Sequence, residues 1–249
     1  MWWLALAVGA VGALVGGWRA WHRDRRQRTL LAACWRSGLR FSVLDPFPDT
    51  VWLPFPVFAP AVNPVATNVV WDRRDESVRA FDLSVDAVSA EREGLSDRRW
   101  MSCAVVALPF SCPCITIASR SASDPAGLGA PGTEVSLELE AFDRRFRVVS
   151  VDARAAVAFC DQRMMRTLMA LPLEVTIHVE EQVMLLVAPL LEPAEVLVLL
   201  ETARGLGSAV PTVVASLYPP RPAAGPHEDR WLQGHWSATP TTGSPPVGS

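Results

Sequence analysis

The sequence predicts an α+β fold: an N-terminal transmembrane helix, then one largely antiparallel sheet domain with two late helices. Three observations predict it. No charged residue precedes Arg19, and tryptophans stand at both ends of that apolar run. Between residues 65 and 151, short β-branched or alternating runs follow one another, separated by turn-rich stretches. Only after Asp152 do apolar residues recur at three- to four-residue spacing. Strands gathered in a run, with helices after them, give an antiparallel sheet layered by helices.

Residues 1–18 are expected to be a membrane anchor. At about 1.5 Å per residue a helix from Trp3 to Trp18 spans roughly 22 Å, the short end of what a hydrocarbon core of about 30 Å needs. Trp2 and Trp3 at one end, and Trp18 and Trp21 at the other, suit the headgroup level. The competing expectation is a cleaved signal peptide, for which Gly9, Ala10, Gly12 and Ala13 offer small residues. That type of segment needs basic residues ahead of its apolar core, and here they follow it, as Arg19, Arg23, Arg25, Arg26 and Arg28. Positive flanks stay inside, so the expected topology is single-pass in the cell membrane, with the N-terminus outside and the globular domain cytoplasmic. Residues 1–28 are thus the expected membrane contact. Gly12 and Gly16 form a small-xxx-small ridge through which two copies could associate.

Residues 19–37 continue as a basic, amphipathic juxtamembrane helix. Leu30, Leu31, Cys34 and Trp35 form its apolar stripe, and Gly38 ends it. Residues 38–218 form the globular domain. Its first part, 44–64, carries six prolines (Pro46, Pro48, Pro54, Pro56, Pro60 and Pro64), which deny the backbone the donors that helices and central strands require. Phe47, Trp52, Phe55 and Phe58 predict an extended segment draped over a hydrophobic surface; the sharper alternative is a polyproline ligand for a partner domain.

Strands are expected over 65–71 and 77–85 around a charged turn at 72–76, then over 100–108, 115–118, 135–140 and 146–151. In 77–85 the candidate inward positions are Val78, Ala80 or Phe81, Leu83 and Val85. Val135, Leu137 and Leu139 alternate strictly with polar residues, as in a half-buried strand. Residues 119–133 read as a loop. Asp152 is a helix N-cap, and the helix after it runs from Ala153 to about Ala170. Residues 175–179 and 182–187 form an expected hairpin about Glu180-Glu181. The last helix opens at Pro193 and closes near Leu206, with Gly205 and Gly207 as its end. Residues 219–249, rich in Pro, Gly, Ser and Thr, are an expected disordered tail with one aromatic island, from His227 to Trp236.

Composition sets limits on function. The net charge of -3 offers no footprint for nucleic acid. All 23 basic residues are arginine, which together with abundant Ala, Val and Pro fits a high-GC coding bias. The five cysteines, Cys34, Cys103, Cys112, Cys114 and Cys160, are odd in number and scattered, which fits a reducing compartment.

Four constellations could carry chemistry. Cys112-Pro113-Cys114 pairs two thiols, with Cys103 able to approach in the sheet, but no second pair at zinc-ligand spacing completes a site. The plainer expectation is small buried hydrophobes beside a strand. His178 with Glu180 two residues later could act as acid and base or bind a metal; the plainer expectation is a solvent-facing strand pair. Gly127, Gly129 and Gly132 lack the Lys-Ser/Thr ending of a phosphate loop. Asp143, Arg144, Arg145 and Arg147 with Glu138 and Glu140 could bind an anion, though mutual pairing is the plainer reading. No catalytic, cofactor-binding or metal residue is assigned, and no cofactor is expected.

Residues Glu140 to Val148, Asp152 to Ala156, Met164-Met165 with Leu168, and the Glu192-Pro193 helix start form a pattern. It resembles uncharacterised single-span membrane proteins of high-GC Gram-positive bacteria, a domain of unknown function. The match covers roughly residues 100–215, and the Phe142–Phe146 stretch is its most specific part. The resemblance implies the anchor and the α+β domain and supplies no activity. The expected role is therefore a membrane-anchored cytoplasmic interaction or scaffold module with an unknown protein partner. The alternatives are a small-molecule or lipid-binding module with its pocket between the sheet and the Ala153 helix, or an enzyme using the cysteines or His178.

Overall fold

Strand β4 (Arg98–Ser119) is the spine of the domain, because it is long enough to pair with three others. The structure, a computed structural model, describes residues 21–47, 50–86, 98–121 and 131–220. Along one edge of β4 runs β7 (Thr176–Pro189), antiparallel, from Met101 opposite Pro189 to Ile117 opposite Ile177. The other edge is shared. β3 (Asp75–Asp86) pairs with the first half of β4, and β6 (Phe146–Ser150) pairs with the second half. β2 (Val65–Asp72) and then β1 (Arg40–Leu44) extend the sheet beyond β3, and the two-residue β5 (Thr133–Glu134) lies beyond β6. All six pairings are antiparallel. The expected α+β class with a largely antiparallel sheet is what the chain adopts.

Both faces of the sheet are covered, which explains strands that are buried at every position. Alternate side chains go to opposite sides. Val78, Ala80, Ala104, Val106, Met184 and Leu186 face a core made with the helices. Phe81, Leu83, Met101, Cys103, Leu185 and Val187 face a second core, completed by Phe47, Leu53, Phe55, Val57 and Phe58 of the proline-rich segment. That segment forms three single-turn helices, two of them opened by Pro56 and Pro60, where no amide donor is needed. It covers a hydrophobic surface as expected, but as short helical turns and not as the expected extended segment, and Trp52 points outward, 57% exposed. Arg79 is wholly buried on this side with its guanidinium 4.3 Å from the Phe47 ring centroid.

The helices are α1 (residues 21–37), α2 (Glu140–Arg145), α3 (Ala153–Phe159), α4 (Gln162–Met169), α5 (Pro193–Ala209) and α6 (Thr212–Leu217). Gly38 ends α1 as expected: it adopts φ +71°, and the Leu39 amide donates to the Cys34 carbonyl at 2.9 Å. The buried stripe of α1 is Leu30, Ala33 and Cys34, whereas Leu31 and Trp35 are exposed. Among the described residues no helix is long and apolar enough to cross a membrane. The expected anchor with Gly12 and Gly16, the tail with its aromatic island, and Gly127 and Gly129 lie outside the described residues.

Four expectations are corrected. The single helix over 153–170 is two, because Asp161 caps a new start by accepting from the Met164 amide at 2.7 Å. Asp152 caps the first as predicted, accepting from the Arg154 and Ala155 amides. The expected hairpin about Glu180-Glu181 is one continuous strand, β7, with Glu181 at φ +53° as an irregularity; both halves stay paired with β4. The expected strand 135–140 keeps its alternating burial, but it passes into α2, and only β5 at its start is strand. Finally, α5 runs through Gly205 and Gly207 to Ala209. Gly207 is there for proximity: a Cβ on it would sit 2.7 Å from Val106 Cγ1.

Candidate functional site

The feature that ties α1 to the rest of the domain is a buried polar knot beneath it. Asn68 sits in a left-handed conformation, φ +54°, where β2 bulges against β3. The bulge lets its side chain donate to Asp82 Oδ2 at 2.8 Å. Arg26 reaches across from α1 and grips the same carboxylate with both arms, Nε to Oδ2 and Nη2 to Oδ1, each 2.8 Å. Ser102 Oγ donates to Oδ1 at 3.2 Å and accepts from the Leu191 amide at 3.0 Å. Arg26 Nη1 closes the circuit on the Leu191 carbonyl at 2.5 Å. Both carboxylate oxygens are thus satisfied by charged or polar donors, the condition under which a buried charge is tolerated. The Arg26 guanidinium fixes α1 to β3 and the turn before α5, and through the shared Asp82 carboxylate it is linked to β2 and β4.

At the other end of β4 the sequence-predicted chemistry is dispersed. Cys112 belongs to the helix-side core. The register of β4 shifts between Cys112 and Ile115, so the two thiols of Cys112-Pro113-Cys114 have different surroundings. Burial pushes Cys112 up to about 12, helped by the Asp152 carboxylate and by Cys114. Burial likewise raises Cys114 to about 11, with Glu180 adding to it. Cys34 is raised to about 11 and Cys160 to about 12, and Cys103 is also raised, each chiefly by burial. All five are free thiols, and none is poised as a thiolate. The plainer reading, small buried side chains along a strand, describes Cys112 and Cys103 on β4; Cys114 is half-buried, and Cys34 and Cys160 are buried on α1 and at the end of α3.

His178 is not solvent-facing. It is 6% exposed, its Nδ1 lies 3.1 Å from Thr116 Oγ1, and its ring centroid is 6.3 Å from that of Phe55, where the proline-rich cover ends. Glu180 follows on the same strand, and burial, then Glu181, holds its carboxyl above the usual range. Among the described residues no three His, Cys, Asp or Glu side chains are grouped to hold a metal.

The charged stretch around α2 pairs in part with itself and in part with its neighbours. Arg144 bonds Glu140 at 2.7 Å, Arg120 bonds Glu134 at 2.5 Å, and Asp143 accepts from the Leu137 amide. Arg145 is turned instead toward a cavity of about 290 Å³, its Nη1 donating to the Met169 carbonyl at 2.6 Å. Leu168, Leu171, Ile117 and Ile177 lie within the wall, with Ser119, Ser121 and Glu174 as its polar members. The cavity adjoins the end of α4, so it borders the far end of the helical region where a pocket was expected. Its size is at the lower limit of ligand pockets.

The polar knot escaped sequence reasoning. Its members come from five segments, and only the arginine run of α1 carried any signal, one pointing to the membrane.

No family model matches the sequence, and no curated protein matches it. Among solved structures the chain is similar to the mycobacterial trehalose monomycolate transport factor A, TtfA, with a TM-score of 0.53 and 15% sequence identity, over 80% of this chain and 98% of that one. At that identity the likeness is one of fold, and it extends over almost the whole of the compared chain.

Proposed function

We propose that this chain is a membrane-anchored accessory factor for lipid transport, acting as an interaction or scaffold module held at the cytoplasmic face rather than as the catalyst. The observation that carries the reading is the extent of the shared fold with a trehalose monomycolate transport factor, which spans 98% of the compared chain. The apolar run of residues 1–18 and the arginines after it supply the anchor and its orientation. The Arg26–Asp82 grip supports the same reading, since a scaffold must transmit position from membrane to domain and a single rigid joint does so. The free thiols agree with a reducing compartment.

A second reading, a binding module for a small amphipathic molecule, is favoured by the cavity beside Arg145. Its volume suits a headgroup-sized molecule and not a long-chain lipid, so carriage of whole lipids is not part of the proposal.

The test is depletion of the protein in its source bacterium followed by isotope tracing of envelope lipids. The expected result is normal synthesis of one lipid class with its accumulation on the side where it is made. Unchanged distribution of every lipid class would remove the basis of the proposal.

A further inference from the structure

At one end of the sheet, side chains from four elements assemble a surface with the composition of a bilayer interface. The Arg23 guanidinium stands 5.2 Å over the Trp100 ring, and Arg25 stands 5.5 Å over Trp21. Arg98 and Arg99 open β4 beside Val85 and Asp86 at the end of β3. Leu190, 46% exposed, follows the Pro189–Met101 pair that ends β7. Arg28 pairs with Asp24, and Arg98 lies 3.8 Å from Asp86. That leaves Arg23, Arg25 and Arg99 as exposed cations without an ion pair among the described residues.

The geometry points to this end of the sheet as a docking face for the phospholipid headgroup layer, an inference that rests on the proposed anchor. Two residues separate Trp21 from Trp18, so Trp21 lies within about 11 Å of the predicted end of the span even on a fully extended chain. Arg26, the fixed point of the domain, follows five residues later, about 7.5 Å along the helix. The headgroup region is about 5–8 Å deep on each side. A domain pinned so close to the span must rest its β3–β4–β7 end on the headgroups. The residues found there are of the right kind: tryptophan prefers that level, and long arginine side chains reach phosphates while burying their stems.

The experiment uses the full-length chain in phosphatidylcholine–phosphatidylglycerol vesicles containing headgroup nitroxide lipids. A fluorophore is placed at Leu190→Cys or, as a control, at Val157→Cys, an exposed position on α3, with the unsubstituted chain as blank. Quenching several-fold stronger at position 190 than at 157 is expected, as is its reduction by Arg23→Glu with Arg99→Glu in a protein that still resists carbonate extraction. Equal quenching at both positions in a carbonate-resistant protein overturns the docking face and leaves the anchor standing. Release by carbonate overturns the anchor and the docking face together.

Discussion

Asp82 is the residue on which most depends. Its side chain is 2% exposed, and Arg26 is its one cationic partner among the described residues. Removing one member of a buried pair leaves the other uncompensated, a loss of about 3–5 kcal/mol. Arg26→Ala is therefore expected to lower unfolding free energy in urea by about 3 kcal/mol. Arg26→Lys should recover less than half of that, because an ammonium cannot grip both carboxylate oxygens. A loss within the range of an ordinary surface substitution would mean that α1 is held by Leu30 and Cys34 instead. Nothing in the sequence marks this pair: the two residues stand 56 apart, and Arg26 also reaches Leu191, 165 residues away.

A second residue-scale link closes the domain. Tyr218, the only tyrosine, donates its hydroxyl to Asp152 Oδ2 at 2.7 Å, beside the cap of α3. That bond is the largest cause holding the Asp152 carboxyl below its usual range. Burial first, then the bond to Asp152, raises Tyr218 to about 12. A depressed carboxylate stabilises above its unfolded value of about 3.9 and loses that contribution as pH falls through the folded value. A raised phenol stabilises below about 10 and loses its contribution as pH climbs through the folded value. Tyr218→Phe should reduce stability near neutral pH by about 1 kcal/mol, abolish the loss between pH 10 and about 12, and weaken the acid limb. Thermal melts across pH read all three, and an unchanged alkaline limb would show that another group produces it.

Elements were legible where local chemistry decides them. The Asp152 cap, the helix start at Pro193 and the Gly38 stop appear as expected; the reciprocal Glu192–Glu195 capping box at that start is an addition the structure supplies. The covering role of the proline-rich segment was legible from its aromatics, but its conformation was not, because proline opens the single-turn helices seen there as readily as it sits in an extended run. What failed was continuity. Pro109, Pro113 and Glu180-Glu181 look like interruptions, yet β4 and β7 run through them with shifted register. A long strand absorbs such residues as bulges when its partner continues on either side, and that partner is distant in sequence. Gly205 and Gly207 misled in the same way. Around Gly205 nothing lies within 4 Å of a Cβ, so Gly205→Ala should stabilise by up to about 1 kcal/mol through helix propensity. At Gly207 the Cβ meets Val106, whose branched side chain is held in the sheet, so Gly207→Ala should destabilise by about 1–3 kcal/mol. Paired denaturant titrations compare them directly, and equal effects would refute the close-approach reading.

At the scale of the molecule, one sheet carries helices on one side and a proline-rich cover on the other, with α1 fastened at one end. The sequence announced the class, since antiparallel strands with late helices follow from patterning alone. It did not announce the two-sided burial: Val78 to Val85 is buried throughout, whereas alternation had led to an expectation of one inward face. Nor did it announce that Cys112, Cys114 and His178 disperse between the two sides, because side-chain direction past an irregular strand is set by the register of its partners. A long spine, β4, runs from the fastened end to the cavity beside Arg145.

That account is tested most directly by isotope tracing of envelope lipids in cells depleted of the protein and supplied with one of three versions at equal abundance. These are the full chain, residues 21–249 without a span, and residues 21–249 behind an unrelated single span of the same orientation. The account predicts that the full chain and the exchanged span restore lipid distribution and that the untethered domain does not. Restoration by the untethered domain, or a lipid distribution that never changes on depletion, would contradict it.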